Sequence, residues 1–276
     1  MKILKSIFSF YIESSIHVAL AVTAFTLVSF IELGISIDTV LLIFVFLGTI
    51  TGYNFIKYAG IAGLHHRRLT QHLKKIQVFS LGCFLGLVYT FFWVPWVVWQ
   101  ITFLLGLLTL LYAVPFLHHK NLRSFHGLKI FPVALVWAGV SVWLPWALGN
   151  IGFTWDVVIV FVQRMLWVLA LIIPFEIRDL VHDDPALGTL PQQLGVRKTK
   201  QAGWLFLGII LILEGFLDEV IPWFSLCKFF FLVLTAIFIA FSEKNQKNYY
   251  AAFWVEATPI FYVVLVVAFE GYFSIS

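Results

Sequence analysis

Charge is what this chain of 276 residues has least of: Asp, Glu, Lys and Arg make up 12% of it, about half the share usual in a soluble domain. No low-complexity tract, long linker or strong internal repeat interrupts it, so one domain over 1–276 is the simplest organisation. Cysteine is nearly absent. Cys83 and Cys227 both fall inside apolar stretches, where buried thiols are the plain reading. The first apolar run is interrupted by Glu13 and His17 and has no small-x-small cleavage site after it. It is expected to stay as a first helix and not to be removed as a signal peptide.

What fills the chain is hydrocarbon. Hydrophobic residues make up 61% of it and the mean hydropathy is +0.97, so an all-α polytopic membrane protein is expected. Nine transmembrane helices are read at 10–31, 39–58, 76–92, 96–115, 130–149, 156–175, 202–217, 222–241 and 250–269. The segments between them alternate in character. Fifteen of the 18 Lys and Arg residues fall on one side: at the N-terminus and in the 59–75, 116–129, 176–201 and 242–249 loops. The opposite segments carry Glu32, Asp38, Asp156, Asp218, Glu219 and Glu270 and no Lys or Arg. The positive-inside rule then predicts a cytoplasmic N-terminus and an external C-terminus in a multi-pass protein of the cell's inner membrane. The pI near 9.0 is thereby explained by topology and by attraction to lipid headgroups, and no nucleic-acid partner is expected. Trp93, Trp96 and Trp99 around Pro95 read as an outer aromatic belt.

Against that background two acidic residues stand out. Asp179 and Asp183, spaced i,i+4 at the cytoplasmic end of the sixth span, share a helix face, about 40° apart around the axis. Lipid gives no reason to keep two like charges there, whereas Mg²⁺ does, because carboxylate oxygens are its natural ligands. At a membrane surface such a metal suggests a phosphorylated lipid as substrate. If the helix continues past Pro174, Glu176 joins that face while Arg178 and Asp184 point elsewhere. A solvated acidic helix end is the plainer alternative. The 112–129 segment brings Lys120, Arg123, His126 and Lys129 at every third residue, a stripe of cations suited to a diphosphate. It reads equally as a loop that sets topology.

These residues resemble the UbiA superfamily of intramembrane prenyltransferases. Arg178-Asp179-x-x-x-Asp183, with Thr189-Leu190-Pro191 and Leu194-Gly195 after it, looks like that family's second aspartate-rich motif. Tyr112-x-x-Pro115 with the following Lys and Arg looks like its loop between helices four and five. Nine helices and an internal N-terminus also agree with a UbiA-like bundle. The first aspartate-rich motif, of the form Asn-Asp-x-x-Asp, departs: this chain has Asn54-Phe55-Ile56-Lys57-Tyr58, and no aspartate lies between Asp38 and Asp156. Family members are understood to bind diphosphate through Mg²⁺ held by both motifs. Here Asn54 matches the asparagine. Lys57 either touches phosphate in place of a metal or snorkels at a helix end.

The resemblance implies a Mg²⁺-dependent transfer of a polyprenyl group from its diphosphate to a lipid-soluble, aromatic acceptor. Asp179 and Asp183 would hold the metal, Lys120 and Arg123 would act with them in catalysis, and Asn54, Lys57, Tyr112, Glu176, Arg178 and Lys129 would bind substrate. Binding of an isoprenoid or quinone lipid without chemistry is the alternative, and a transporter or assembly subunit a third. Glu13, His17, Arg164, Glu214, Lys228 and Glu256 fall inside spans, where ionisable groups face a cavity or a partner. Arg164 must find its partner on another helix. The adjacent pairs His65-His66 and His118-His119 diverge on a helix, which disfavours zinc.

Overall fold

A computed structural model of the chain describes residues 2–62, 71–114, 127, 129–149 and 151–273. Lys120 and Arg123 lie outside these residues. Among the described residues the regular structure is all helical: α1 (Lys2–Glu13), α2 (Ile16–Glu32), α3 (Thr39–Ala62), α4 (Gln71–Phe91), α5 (Trp96–Ala113), α6 (Ile130–Ala138), α7 (Leu144–Leu148), α8 (Trp155–Asp179), α9 (Leu190–Glu214), α10 (Pro222–Ala240) and α11 (Thr258–Phe273). A helix occupies each of the nine expected stretches. Six of the helical stretches are long and apolar enough to cross a membrane, and α1 with α2 makes a seventh candidate bent by 55°. The chain is a multi-pass membrane protein. α4 and α9 fall short in composition because they open with Gln71, Lys74 and Lys75 and with Gln192, Arg197, Lys198 and Lys200.

Two local irregularities have identifiable causes. Pro145 removes an N–H and crowds the carbonyl four residues back. The chain answers with a wide π-turn over Gly139–Trp143, which joins α6 to α7 as one bent rod. Gly195, at φ 77° and ψ 159°, breaks the start of α9. That region of backbone space is open essentially to glycine alone. Gly203 serves packing instead: a Cβ there would sit 2.6 Å from Ile173 and 2.8 Å from Ile239. α9 therefore meets α8 and α10 at bare-backbone distance, as small residues allow between helices in lipid.

The core is centred on α2, which buries Ala19, Ala21, Phe25, Val28 and Phe30 against α3, α11 and the π-turn. Alternation of chain direction gathers the start of α2 and the ends of α3, α5 and α8 at one end of the bundle. The starts of α6, α9 and α11 join them there. That end carries the candidate site.

Candidate active site

α8 runs through Pro174 and stops at Asp179. One further turn follows, in which the Asp183 N–H donates to the Asp179 carbonyl at 2.8 Å. Asp183 thus sits on a turn beyond the helix, and the 184–193 segment fixes that turn. The Gln192 side chain accepts from the Thr189 N–H at 2.8 Å and donates to the Asp184 carbonyl at 3.1 Å. The Thr189–Gly195 stretch that accompanied the aspartates in the sequence is thus their scaffold. Gly127, at φ 70°, donates its N–H to the Leu187 carbonyl at 3.4 Å, and this contact draws the start of α6 alongside.

Lys129 arrives there from the position before α6. Its ammonium lies 2.7 Å from Asp183 Oδ2 and 3.2 Å from Glu176 Oε1, so it bridges two carboxylates seven positions apart. Burial alone lowers the pKa of this ammonium. The hydrogen bond to Asp183 and the charges of Glu176 and Asp183 outweigh that effect and hold it above the ordinary lysine value. Glu176 is buried, and its second oxygen, Oε2, has no hydrogen-bond partner among the described residues. Asp179 behaves differently. It pairs with Arg178 at 2.7 Å, both about one-third exposed, and the guanidinium lies 5.2 Å from the centre of the Phe175 ring. Glu176 and Asp183 thus share one cation while Asp179 has its own, and no three carboxylates are grouped to hold a metal ion among the described residues.

Asn54 and Lys57 lie in the segment whose aspartate positions are taken by Phe55 and Tyr58. They hold a strained elbow: Ser15, a buried non-glycine at φ 64°, links α1 to α2. Ser15 Oγ donates to Asn54 Oδ1 at 2.8 Å, and Asn54 Nδ2 donates to the Ser14 carbonyl at 3.0 Å and to Ser80 Oγ at 2.7 Å. Lys57 Nζ donates to Ser15 Oγ at 2.9 Å. The Asn54 amide is thus engaged at both ends. Lys57 keeps further donors, and its charge and that of Arg178 both act on Glu256, two residues before α11.

Beside this polar end lies a chamber of about 700 Å³ with almost wholly apolar walls from α3, α5 and α6. Phe44, Gly48, Gly106, Val136 and Leu144 line it, and Tyr53, Ile56, Tyr112, Pro132 and Val133 close the end toward the charges. Phe55, Phe84, Phe103 and Leu110, all partly exposed at the surface, edge it, so it opens sideways toward surrounding lipid. Polar groups on the wall include Tyr53, whose hydroxyl accepts from Trp137 Nε1 at 2.6 Å, and Thr102, whose buried hydroxyl has no hydrogen-bond partner among the described residues. Lys129 stands one helical turn before Pro132 and Val133, and Lys57 one turn after Tyr53. Tyr112 is among the residues expected from the sequence, whereas Tyr53 and Trp137 are not. For Tyr53 the available signal was its place directly before Asn54.

This arrangement of helices is known. A structure of digeranylgeranylglyceryl phosphate synthase in membranes matches over 96% of this chain and 97% of its own, with 18% identity and a TM-score of 0.56. A UbiA homolog from Archaeoglobus fulgidus matches over 95% and 98%, with 9% identity and a TM-score of 0.58. The chain has the UbiA fold. No protein-family model and no curated protein matches its sequence. Within the UbiA fold, likeness of shape with so little identity means that the architecture is shared while the lining residues of this chain must be read on their own chemistry.

Proposed function

We propose that the protein is an intramembrane prenyltransferase, moving a polyprenyl group from its diphosphate to a lipid-soluble, aromatic acceptor in the cell's inner membrane. The observation that carries this reading is the join: an apolar chamber sized for a lipid tail ends one helical turn from a cluster of carboxylates and cations. A pocket with apolar walls and a few converging polar groups at one end is built to hold a long hydrocarbon by its head.

No three carboxylates among the described residues are grouped to hold a metal ion, but Mg²⁺ suits the pair Glu176 and Asp183, which offer hard oxygen ligands, with Glu176 Oε2 buried and without a partner among the described residues. Those two side chains would hold the metal, and its role would be to neutralise charge on the departing diphosphate. The remaining work falls to the protein. Lys129 and Arg178 bind diphosphate oxygens, Lys57 adds its charge from α3, and the chamber walls orient the chain and exclude water. The carbon–oxygen bond to diphosphate breaks, with its electron pair leaving on the diphosphate. The acceptor's nucleophilic carbon then attacks the allylic carbon and loses a proton. Tyr53 and Trp137 line the chamber, where aromatic rings would stabilise a developing cation.

A second reading, an isoprenoid binder without transfer, is favoured by one observation: the Asn54 amide is already committed to Ser14, Ser15 and Ser80. Pyrophosphate release separates the two. Purified protein given polyprenyl diphosphates and aromatic acceptors should release pyrophosphate in Mg²⁺ and do so far more slowly as Asp183→Asn. No release with any chain length and acceptor would leave the binder.

A further inference from the structure

The cation already present in the carboxylate cluster is part of the protein. We infer that Lys129 is the resident counter-ion of Glu176 and Asp183, and that a divalent metal enters only by displacing its ammonium, which then turns to the diphosphate. This inference rests on the prenyl-diphosphate reading of the same site.

Two carboxylates this close, one of them buried, require a positive charge between them. Lys129 supplies it at 2.7 and 3.2 Å, in the space where an ion shared by both carboxylates would sit. A dication and the ammonium cannot occupy that space together. Arg178 does not play the same part. Its pair with Asp179 is about one-third exposed, is screened by water and breaks at little cost. The Lys129 pairs are shielded, with side-chain exposures of 12% for Lys129 and Asp183 and 4% for Glu176. Glu176 Oε2, left over by the single ammonium contact, is the atom a larger charge would recruit.

Once displaced, the ammonium remains tethered at the start of α6, one turn from the chamber wall at Pro132 and Val133. The nearest use for it is an anionic oxygen at the head of the chamber's occupant. Metal and diphosphate then help each other bind. The anion gives Lys129 a new partner, and the freed carboxylates take the metal; such coupling is reciprocal by thermodynamic necessity. Neither is expected to bind tightly alone, so that diphosphate is gripped only when the metal that assists its departure is in place.

The first test uses unmodified protein in detergent. The rate at which a water-soluble acylating reagent modifies Lys129, measured by mass spectrometry, should rise severalfold in Mg²⁺, while exposed Lys244 stays constant. An unchanged Lys129 rate overturns the inference. The second test is Mn²⁺ binding followed by electron paramagnetic resonance. Lys129→Met should tighten Mn²⁺ about tenfold, or roughly 1.4 kcal/mol, and Lys129→Arg should not. Equal or weaker binding by Lys129→Met overturns it. Pyrophosphate release keeps the two claims apart. Release with a Mg²⁺-insensitive Lys129 defeats the exchange and leaves the transferase. A Mg²⁺-sensitive Lys129 without release defeats the transferase and leaves the exchange.

Discussion

Two clusters of buried charge lie at opposite ends of the bundle, built from the same residue types and left in different states. At the far end Glu32 of α2 accepts from Arg164 at 3.0 Å and from Lys228 at 2.6 Å. Lys228 also reaches Glu214 at 2.5 Å, and Gln163 and Ser225 complete the Glu214 carboxylate. Arg164 further lies 4.3 Å above the Phe25 ring. The space beside this network is about 10 Å³, room for one water. Two carboxylates meet two cations there and almost no open space remains, although Arg164 Nη1 and the Tyr262 hydroxyl have no hydrogen-bond partner among the described residues. At the candidate site the carboxylates outnumber their shielded cation, one oxygen is unpartnered among the described residues, and a chamber of about 700 Å³ adjoins. Closure marks a bolt joining α2, α8, α9 and α10. Unpartnered polar atoms occur in both clusters, and the open space beside Glu176 Oε2 is what marks a place for a ligand.

The largest effect should come from the bolt. Lys228→Met leaves Glu32 and Glu214 short of a cation inside the membrane and should cost about 3–5 kcal/mol, seen as a large drop in thermal midpoint in detergent. Pairing it with Glu214→Gln should restore part of the loss. If Lys129→Met destabilises the protein more than Lys228→Met does, the two clusters have been assigned the wrong way round. Next comes the site: Asp183→Asn should lower pyrophosphate release by about 100-fold with little change in thermal midpoint. A parallel collapse of stability would make Asp183 a structural residue. Gly195→Ala should cost roughly 1–3 kcal/mol by forcing a Cβ into glycine-only backbone space, read from the same melting curves.

The smallest effect is on pH. The folded-state pKa of Lys129 lies above its unfolded value of about 10.4, so its pairs contribute their full stability below that pH. The contribution is lost as pH rises through the folded value. Unfolding titrations should show an alkaline decline that Lys129→Met removes.

The helices were legible in the sequence because lipid demands long apolar runs, yet their ends were not. α9 starts at Leu190, well before the expected 202, since its first turns are amphipathic and carry Gln and Lys. The break at Ser14–Ser15 lay hidden inside a run read as 10–31. It is held from α3 by Asn54 and Lys57, some 40 positions away. Glu32 read as a loop residue for the same reason, its partners Arg164 and Lys228 being 132 and 196 positions distant. At the site the residue types were legible and the pairing was not. Spacing put Asp179 with Asp183, whereas the fold gives Asp183 to Glu176 and Lys129. Hydropathy reports where a chain meets lipid, and tertiary contact decides which charges meet each other.

The most direct measurement is photo-crosslinking with a polyprenyl diphosphate that carries a benzophenone at its far end, mapped by mass spectrometry. Adducts should fall on the chamber walls of α3, α5 and α6. They should be lost in Gly106→Phe, which fills a position where an added Cβ meets nothing within 4 Å, while the melting curve is preserved. Adducts spread over the lipid-facing helix surfaces, or undiminished in Gly106→Phe, would contradict a chamber that holds the prenyl chain.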